Sequence, residues 1–192
     1  MATLYSLTSD GFEQQFATNH LAHFLLFQLL KDAMLARATP QYSSRYPHTS
    51  SAWACIPKRR IYGWPNAIER HFGARNLHAT SVHPGGITEN SGLTKHVPEV
   101  ELAALSSDEA LVCTFKSSAQ GAATQVYAAV SKEWASKGGR YLSGMVEQGS
   151  REEVGREEGM FEYANEGYAA WCYDTDGEER LWEDSLGMAG FA

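Results

Sequence analysis

Cysteine is scarce in this sequence. The three residues, Cys55, Cys113 and Cys172, are odd in number and far apart, so there is no Cys-x-x-Cys pair and no disulfide framework. That usage is expected of a reducing compartment, which makes the cytoplasm the expected location. Long apolar runs are missing too. No stretch approaches the roughly 18 apolar residues of a membrane-spanning helix, so no membrane partner is expected. Met1 to Asp10 has no basic segment followed by an apolar one, so it does not read as a secretory signal. Basic clusters are nearly absent. Lys58-Arg59-Arg60 is the one run, and it suits either a solvated loop or a phosphate or acidic-tail contact. Without a dense basic face, no nucleic-acid partner is expected. A glycine-rich phosphate turn is lacking as well. The nearest match, Gly155-Arg-Glu-Glu-Gly-Met-Phe161, has Phe where a third Gly would be needed. It is also flanked by Glu152, Glu153, Glu157 and Glu158, whose charge opposes an anion.

What is present is the composition of a folded chain. Of 192 residues, 43% are hydrophobic and 20% charged, enough for one domain with a real core. The net charge of −7 is unevenly spread. Residues 147–192 hold 13 acids and 3 arginines, whereas residues 1–146 hold 10 acids and 13 bases. The reading is an α/β body over 1–146 and an acidic, aromatic C-terminal extension over 147–192 that packs on it.

Periodicity supplies the elements. Residues 10–37 read as a long helix, with Ser9 or Asp10 as N-cap and Glu13 near the first turn. From Leu21 to Leu30 it is apolar nearly all round, which predicts a helix sandwiched on several sides. Tyr46 to Ser50 can form a short strand, weak or at an edge because Pro47 removes a ladder hydrogen bond. Residues 65–72 form a short helix with Pro65 in its first turn and Gly73 after it. Leu77 to Val82 is a strand stopped by His83-Pro-Gly-Gly86. Residues 88–109 read as irregular, with a helical turn at Val100–Leu105. A second long helix covers 119–134, then a strand covers 140–143, and a last helix covers 178–186. Alternating helices and strands predict a parallel sheet covered on both faces.

Several of these runs together resemble the short-chain dehydrogenases/reductases. Thr8-Ser-Asp-Gly-Phe-Glu-Gln-Gln-Phe-Ala-Thr-Asn-His-Leu-Ala-His-Phe-Leu-Leu26 is similar to the family's central helix, in the branch that includes retinol-dehydrogenase-like and WW-domain-oxidoreductase-like members common in fungi. Leu77-His-Ala-Thr-Ser-Val-His-Pro-Gly-Gly-Ile87 resembles its strand and Pro-Gly turn. Ala119 to Val130 and Gly138-Gly-Arg-Tyr-Leu142 resemble the next helix and strand, and Tyr173 to Trp182 resembles the last helix of fungal members. The resemblance implies a partial Rossmann-like fold, with about three parallel strands flanked by helices. Helices 10–37 and 65–72 should share one face, and helix 119–134 should take the other. It also implies that the family's N-terminal dinucleotide-binding half is absent from these residues.

The family's catalytic pattern carries over only in part. Its helix Asn matches Asn19, and its Ser best matches Ser51. Tyr62-Gly63 resembles the start of the Tyr-x-x-x-Lys pair, but Trp64-Pro65-Asn66 follows and no Lys stands four residues after Tyr62. Without that cation, Tyr62 is a poor proton carrier near neutral pH. Where the family places a cofactor-contacting Thr, this chain has Glu89, with Thr88 one position early. No dinucleotide and no other cofactor is therefore expected. His20 and His23, three apart on a helix, are read as structural rather than as metal ligands, and no metal is expected. His83, at the C-terminal end of a strand, suits either a pocket role or a structural hydrogen bond. The aromatics Trp53, Trp64, Tyr163 and Trp171 either cover surface that the missing half would leave bare or line an apolar pocket.

Two functional expectations follow. In the first, the chain is a cofactor-independent enzyme that holds a small hydrophobic metabolite for cyclisation, isomerisation or dehydration. Asn19, Ser51, Tyr62 and His83 would be its polar groups, and Trp53, Trp64, Tyr163 and Trp171 its apolar wall. In the second, it is a catalytically dead remnant serving as a binding partner, or a reductase only when another chain supplies the cofactor half. A homodimer through helix 10–37 is expected in either case, because the family pairs through that helix.

Overall fold

The computed structural model describes residues 5–49, 63–87, 97–154, 167–168 and 170–191. Ser51, Trp53, Tyr62, Glu89 and Tyr163 lie outside the described residues, as does the basic run 58–60.

The first helix, α1, begins at Gln14 and runs through Phe16, a π-turn over Ala17–Leu21, and then Ala22–Arg37. It starts later than the expected cap at Ser9 or Asp10, because residues 8–12 close a tight loop. Thr8 and Gly11 bond within that loop, and Gly11 takes φ 82°. The cap is Glu13, whose carboxylate accepts from the backbone N–H of Gln15 and Phe16 at 3.0 and 2.7 Å. An acid there also meets the positive end of the helix dipole.

Strand β1 is Ser44–Thr49, helix α2 is Trp64–Phe72, and strand β2 is Leu77–His83. Helix α3, Glu99–Ser107, is longer than the single turn expected. Helix α4, Ser118–Val130, carries a capping box in which Ser117 and Gln120 satisfy each other's backbone N–H. It ends before residue 134 because Ser131 turns extended and caps a separate 3-10 turn, Lys132–Trp134. Strand β3 is Tyr141–Ser143, strand β4 is Val146–Glu147, and helix α5 is Thr175–Met188 with Asp174 as its cap.

The sheet runs β1-β2-β3-β4, with the first three strands parallel and β4 antiparallel. Register pairs Tyr46 with Ala79 and Val82 with Leu142. Among the described residues β1 is an edge, which is where a Pro is tolerated, and Pro47 sits in it.

Alternation along the strands divides the interior in two. Leu77, Ala79 and Tyr46 point toward α1, α2 and α5. There they meet Phe24, Phe27, Trp64, Ala67, Ile68, Leu181 and Trp182. Leu181 and Trp182 come from the acidic C-terminal stretch, so that stretch completes the main core. Val82 and Leu142 point the other way, toward Ala128 of α4 and Trp134. α1 is not sandwiched as expected. Its inner side is buried at Phe24, Phe27 and Gln28, while Leu25, Leu26, Leu29 and Leu30 are exposed. Apolar pattern marks what would gain from burial, and here the described chain supplies no cover for that side. No helix among the described residues is long and apolar enough to cross a membrane.

Candidate functional site

In parallel α/β sheets ligands gather where the strands end, at their carboxyl edge. Here that edge is formed by His48 and Thr49 of β1, His83 of β2 and Ser143 of β3, joined through the registers His48–Ser81 and His83–Ser143.

His83 opens the turn Pro84-Gly85-Gly86. The backbone N–H of Gly85 donates to His83 Nδ1 at 3.3 Å. A nitrogen that accepts carries no proton, so the neutral ring bears its hydrogen on Nε2 and presents a donor there. Burial, and secondarily the charge of Lys116, push the His83 pKa down from 6.5 to about 4. The ring is therefore neutral at physiological pH. Gly85 takes φ 86°, a left-handed conformation that favours glycine. The turn is tied across the chain by Lys116, whose N–H donates to the Gly86 carbonyl at 2.8 Å.

Asn19 lies in the π-turn of α1 and is half-buried. Its amide has no hydrogen-bond partner among the described residues, and no bond or ring contact joins it to His83. A π-turn inserts one extra residue into a helix, and such turns recur at functional sites. Here the extra residue turns both His20 and Leu21 inward. His20 Nε2 meets Ser185 Oγ of α5 at 2.7 Å, and both groups are fully buried.

Trp64, expected on a pocket wall, is a core residue. Its ring has no exposed surface and packs against Phe24, Phe27, Tyr46, His20 and His48, with the His48 ring 4.9 Å away. Pro65 at the first turn fixes the start of α2, and the indole follows it into the middle of the aromatic cluster. The backbone of Trp171 lies in the 3-10 turn Ala170–Tyr173. His20 Nδ1, His48 Nε2 and Trp64 Nε1 are all buried without a partner. Burial, with repulsion from His23, pushes His20 down to about 4. Burial, with repulsion from His23 and His20, pushes His48 down to about 3. Among the described residues no group of three His, Cys, Asp or Glu could hold a metal ion.

The network sequence reasoning missed joins α2 to α5. Glu178, almost wholly buried, accepts from Asn66 Nδ2 at 2.8 Å and pairs with Arg70. Arg70 also donates to Glu179. A Cβ on Gly63 would collide with the Glu178 side chain, so glycine just before α2 lets the carboxylate in. Lys116 was missed as well, since a lone Lys before a helix cap carries no motif.

The described residues do not fit a dinucleotide. A pyrophosphate needs free backbone N–H groups at a helix N-terminus. Here Glu13, Asp108, Ser117 and Asp174 cap helix starts with their own side chains, and Glu99 and Glu101 occupy the first turn of α3. Glu178 lies against Gly63 at the start of α2.

Comparison with known proteins gives the ancestry. No family model matches. The chain is 37% identical over 210 residues to the short-chain dehydrogenase/reductase prx1 of Penicillium rubens, covering 98% of this chain and 59% of that protein. It is 36% identical over 210 residues to oxidoreductase calI of Penicillium decumbens, covering 95% of this chain and 59% of that protein. To the WW domain-containing oxidoreductase of Pongo abelii it is 29% identical over 166 residues, 72% of this chain and 39% of the relative. The chain thus spans about three-fifths of the fungal relatives it matches. The matched 210 positions also exceed its 192 residues, so those relatives carry residues inside the match that have no counterpart here. Through that shared sequence and its parallel α/β core, the chain belongs to the short-chain dehydrogenase/reductase family.

Proposed function

We propose that this chain is a cofactor-independent enzyme on a short-chain dehydrogenase/reductase scaffold. It holds a small hydrophobic metabolite of fungal secondary metabolism at the carboxyl edge of β1–β3 for cyclisation, isomerisation or dehydration. The observation that carries the reading is the state of His83. With Nδ1 engaged by Gly85 and the ring neutral, Nε2–H is a fixed donor for a carbonyl or hydroxyl oxygen. Asn19, Ser51 and Tyr62 are the other polar groups proposed there, and Trp53, Tyr163 and Trp171 the apolar wall. Trp64 leaves that set because its ring is sealed in the core. The reactions named need no electron carrier. Cyclisation and isomerisation rearrange bonds within one molecule, and dehydration releases water. Positioning and hydrogen bonding suffice to accelerate such steps. Neither the missing Lys after Tyr62 nor the side-chain-capped starts of α1, α4 and α5 support hydride transfer by these residues alone.

The test is turnover of carbonyl-bearing hydrophobic metabolites by the purified chain, with and without NADPH. Turnover without NADPH, lowered in Tyr62→Phe and His83→Phe, is the expected result. A strict NADPH requirement overturns the reading. A second reading has its own support. The relatives are named oxidoreductases and are longer, so a second chain supplying a dinucleotide half would make a reductase. NADPH binding that arises only on mixing with a full-length relative would favour it. In both readings a homodimer through α1 covers Leu25, Leu26, Leu29 and Leu30. A monomer in sedimentation at low micromolar concentration would remove the dimer.

A further inference from the structure

We infer that Lys116 and His83 form a carboxylate subsite, so the molecule held at this sheet edge carries an acid group. The inference rests on the reading of that edge as the ligand site and adds the chemical class of the ligand.

Lys116 and His83 are 33 positions apart in sequence and meet on one turn. The Lys116 side chain folds over Gly85. Its Cδ, Cε and Nζ lie 2.7, 3.0 and 3.2 Å from where a Cβ on residue 85 would stand. Its Nζ is also 3.9 Å from the corresponding point on Gly144, beyond the end of β3. Any side chain at residue 85 would displace the lysine, so the glycine serves the cation as well as the turn. Residue 85 is the same residue whose N–H holds the His83 ring. Cation and imidazole are therefore fixed by one piece of backbone.

The cation has no counter-charge among the described residues. No ion pair there includes Lys116. A half-buried ammonium and a neutral imidazole N–H, both held on the Gly85 turn and close enough for the lysine charge to act on the ring, offer two hydrogen-bond donors, one of them charged. Two donors match the two oxygens of a carboxylate. A phosphate dianion would ask for more, usually a nest of backbone N–H groups. That nest is closed, because the N–H of Gly85 is engaged by His83 and the N–H of Lys116 by Gly86. The site's donor count therefore favours a carboxylate over a phosphate.

The test is a binding titration of the whole chain with benzoate, read on the His83 imidazole by NMR and assigned with His83→Gln. Benzamide serves as the uncharged counterpart and inorganic phosphate as the competing anion. Saturable shifts of the His83 signal with benzoate, and none with benzamide, are expected. Lys116→Met should weaken benzoate by roughly ten- to a hundredfold, the range for losing a charge-assisted hydrogen bond. Lys116→Arg keeps the charge and should retain most of the binding, which separates charge loss from misfolding. No saturable shift in the wild type, or equal binding by Lys116→Met, overturns the subsite. Phosphate saturating at lower concentration than benzoate overturns the choice of carboxylate. Because the readout is binding, loss of NADPH-independent turnover with benzoate binding intact would remove only the proposed activity.

Discussion

On one face of the sheet, α1, α2 and α5 bury a dense aromatic cluster in which Trp64 touches Phe24, Phe27, Tyr46, His20 and His48, and Trp182 touches Phe24, Phe27 and Phe72. On the other face α4 contributes Ala128 to a small group with Val82, Leu142 and Trp134, and it leaves Val126 and Val130 exposed. The two faces share one sheet but not one burden. Aromatic burial is large per residue, so stability is concentrated on the first face. The second is thinner, and the outer side of α1 is uncovered. At the edge where the sheet ends, His83 is held by the Gly85 turn, whereas His48 of the same edge is packed into the aromatic cluster against Trp64. Changes at His83 should therefore cost less folding energy than changes at His48.

The sharpest way to break this comparison is to empty each face in turn. Trp64→Ala should cost about 4–5 kcal/mol and Trp134→Ala about 3 kcal/mol, because the surround of Trp64 is too crowded with rigid rings to collapse. Urea unfolding monitored by far-UV circular dichroism checks the order. Equal losses would show that the two faces carry the fold alike.

Acid tests the same face through its histidines. His20 and His48 are held neutral when folded, with pKa values lowered to about 4 and about 3 from 6.5. The unfolded chain binds those protons at higher pH than the folded one, so stability rises with pH in this window. It is complete above about pH 6.5 and is lost as the pH falls toward 4. His20 alone contributes on the order of 3 kcal/mol to that loss. The urea midpoint should drop steadily from pH 7 to 4, and His20→Gln should flatten the slope. An unchanged slope in that variant would assign the acid loss to other groups.

Much of this was legible in the sequence, and the failures have physical causes. The strand ending at the Pro-Gly turn follows from local rules, as does the choice between a weak and an edge strand at Pro47, where the described residues show an edge; the opposed placement of α2 and α4 comes instead from the family resemblance. Those rules depend only on backbone geometry and alternation. The buried fate of Trp64 does not, because a large aromatic after a glycine suits a pocket wall as well as a core. The exposed leucines of α1 show the same limit, since composition records a demand for burial but not the supply. The position of Lys116 was invisible because it depends on the turn at Gly85, brought to it from about thirty residues away. Glu178 was hidden among neighbouring acids such as Asp176, Glu183 and Asp184, which are exposed.

The link between α2 and α5 gives the next effect. Glu178→Ala removes a buried carboxylate from Asn66 and Arg70 and should cost about 2 kcal/mol, typical of a hydrogen-bonded charged group. Glu133→Ala beyond the end of α4, where the carboxylate pairs with Lys137 in the open, should leave the melting point where it is. Comparable losses in the two variants would mean that the ionic link adds nothing beyond the cores.

The smallest effect on folding should come from the outer side of α1, and it is the one that separates folding from association. Leu29 is exposed and touches neither core, so Leu29→Lys should change the unfolding free energy of the monomer by no more than about 0.5 kcal/mol, the ordinary range for a surface substitution. If α1 pairs with a second copy, the same change sets two lysines against each other at an apolar contact. Sedimentation should then shift from dimer to monomer while the far-UV spectrum stays the same. Loss of the folded spectrum along with the dimer would show that α1 needs its partner to stay folded, which would join the uncovered side to the main core as a single stability unit.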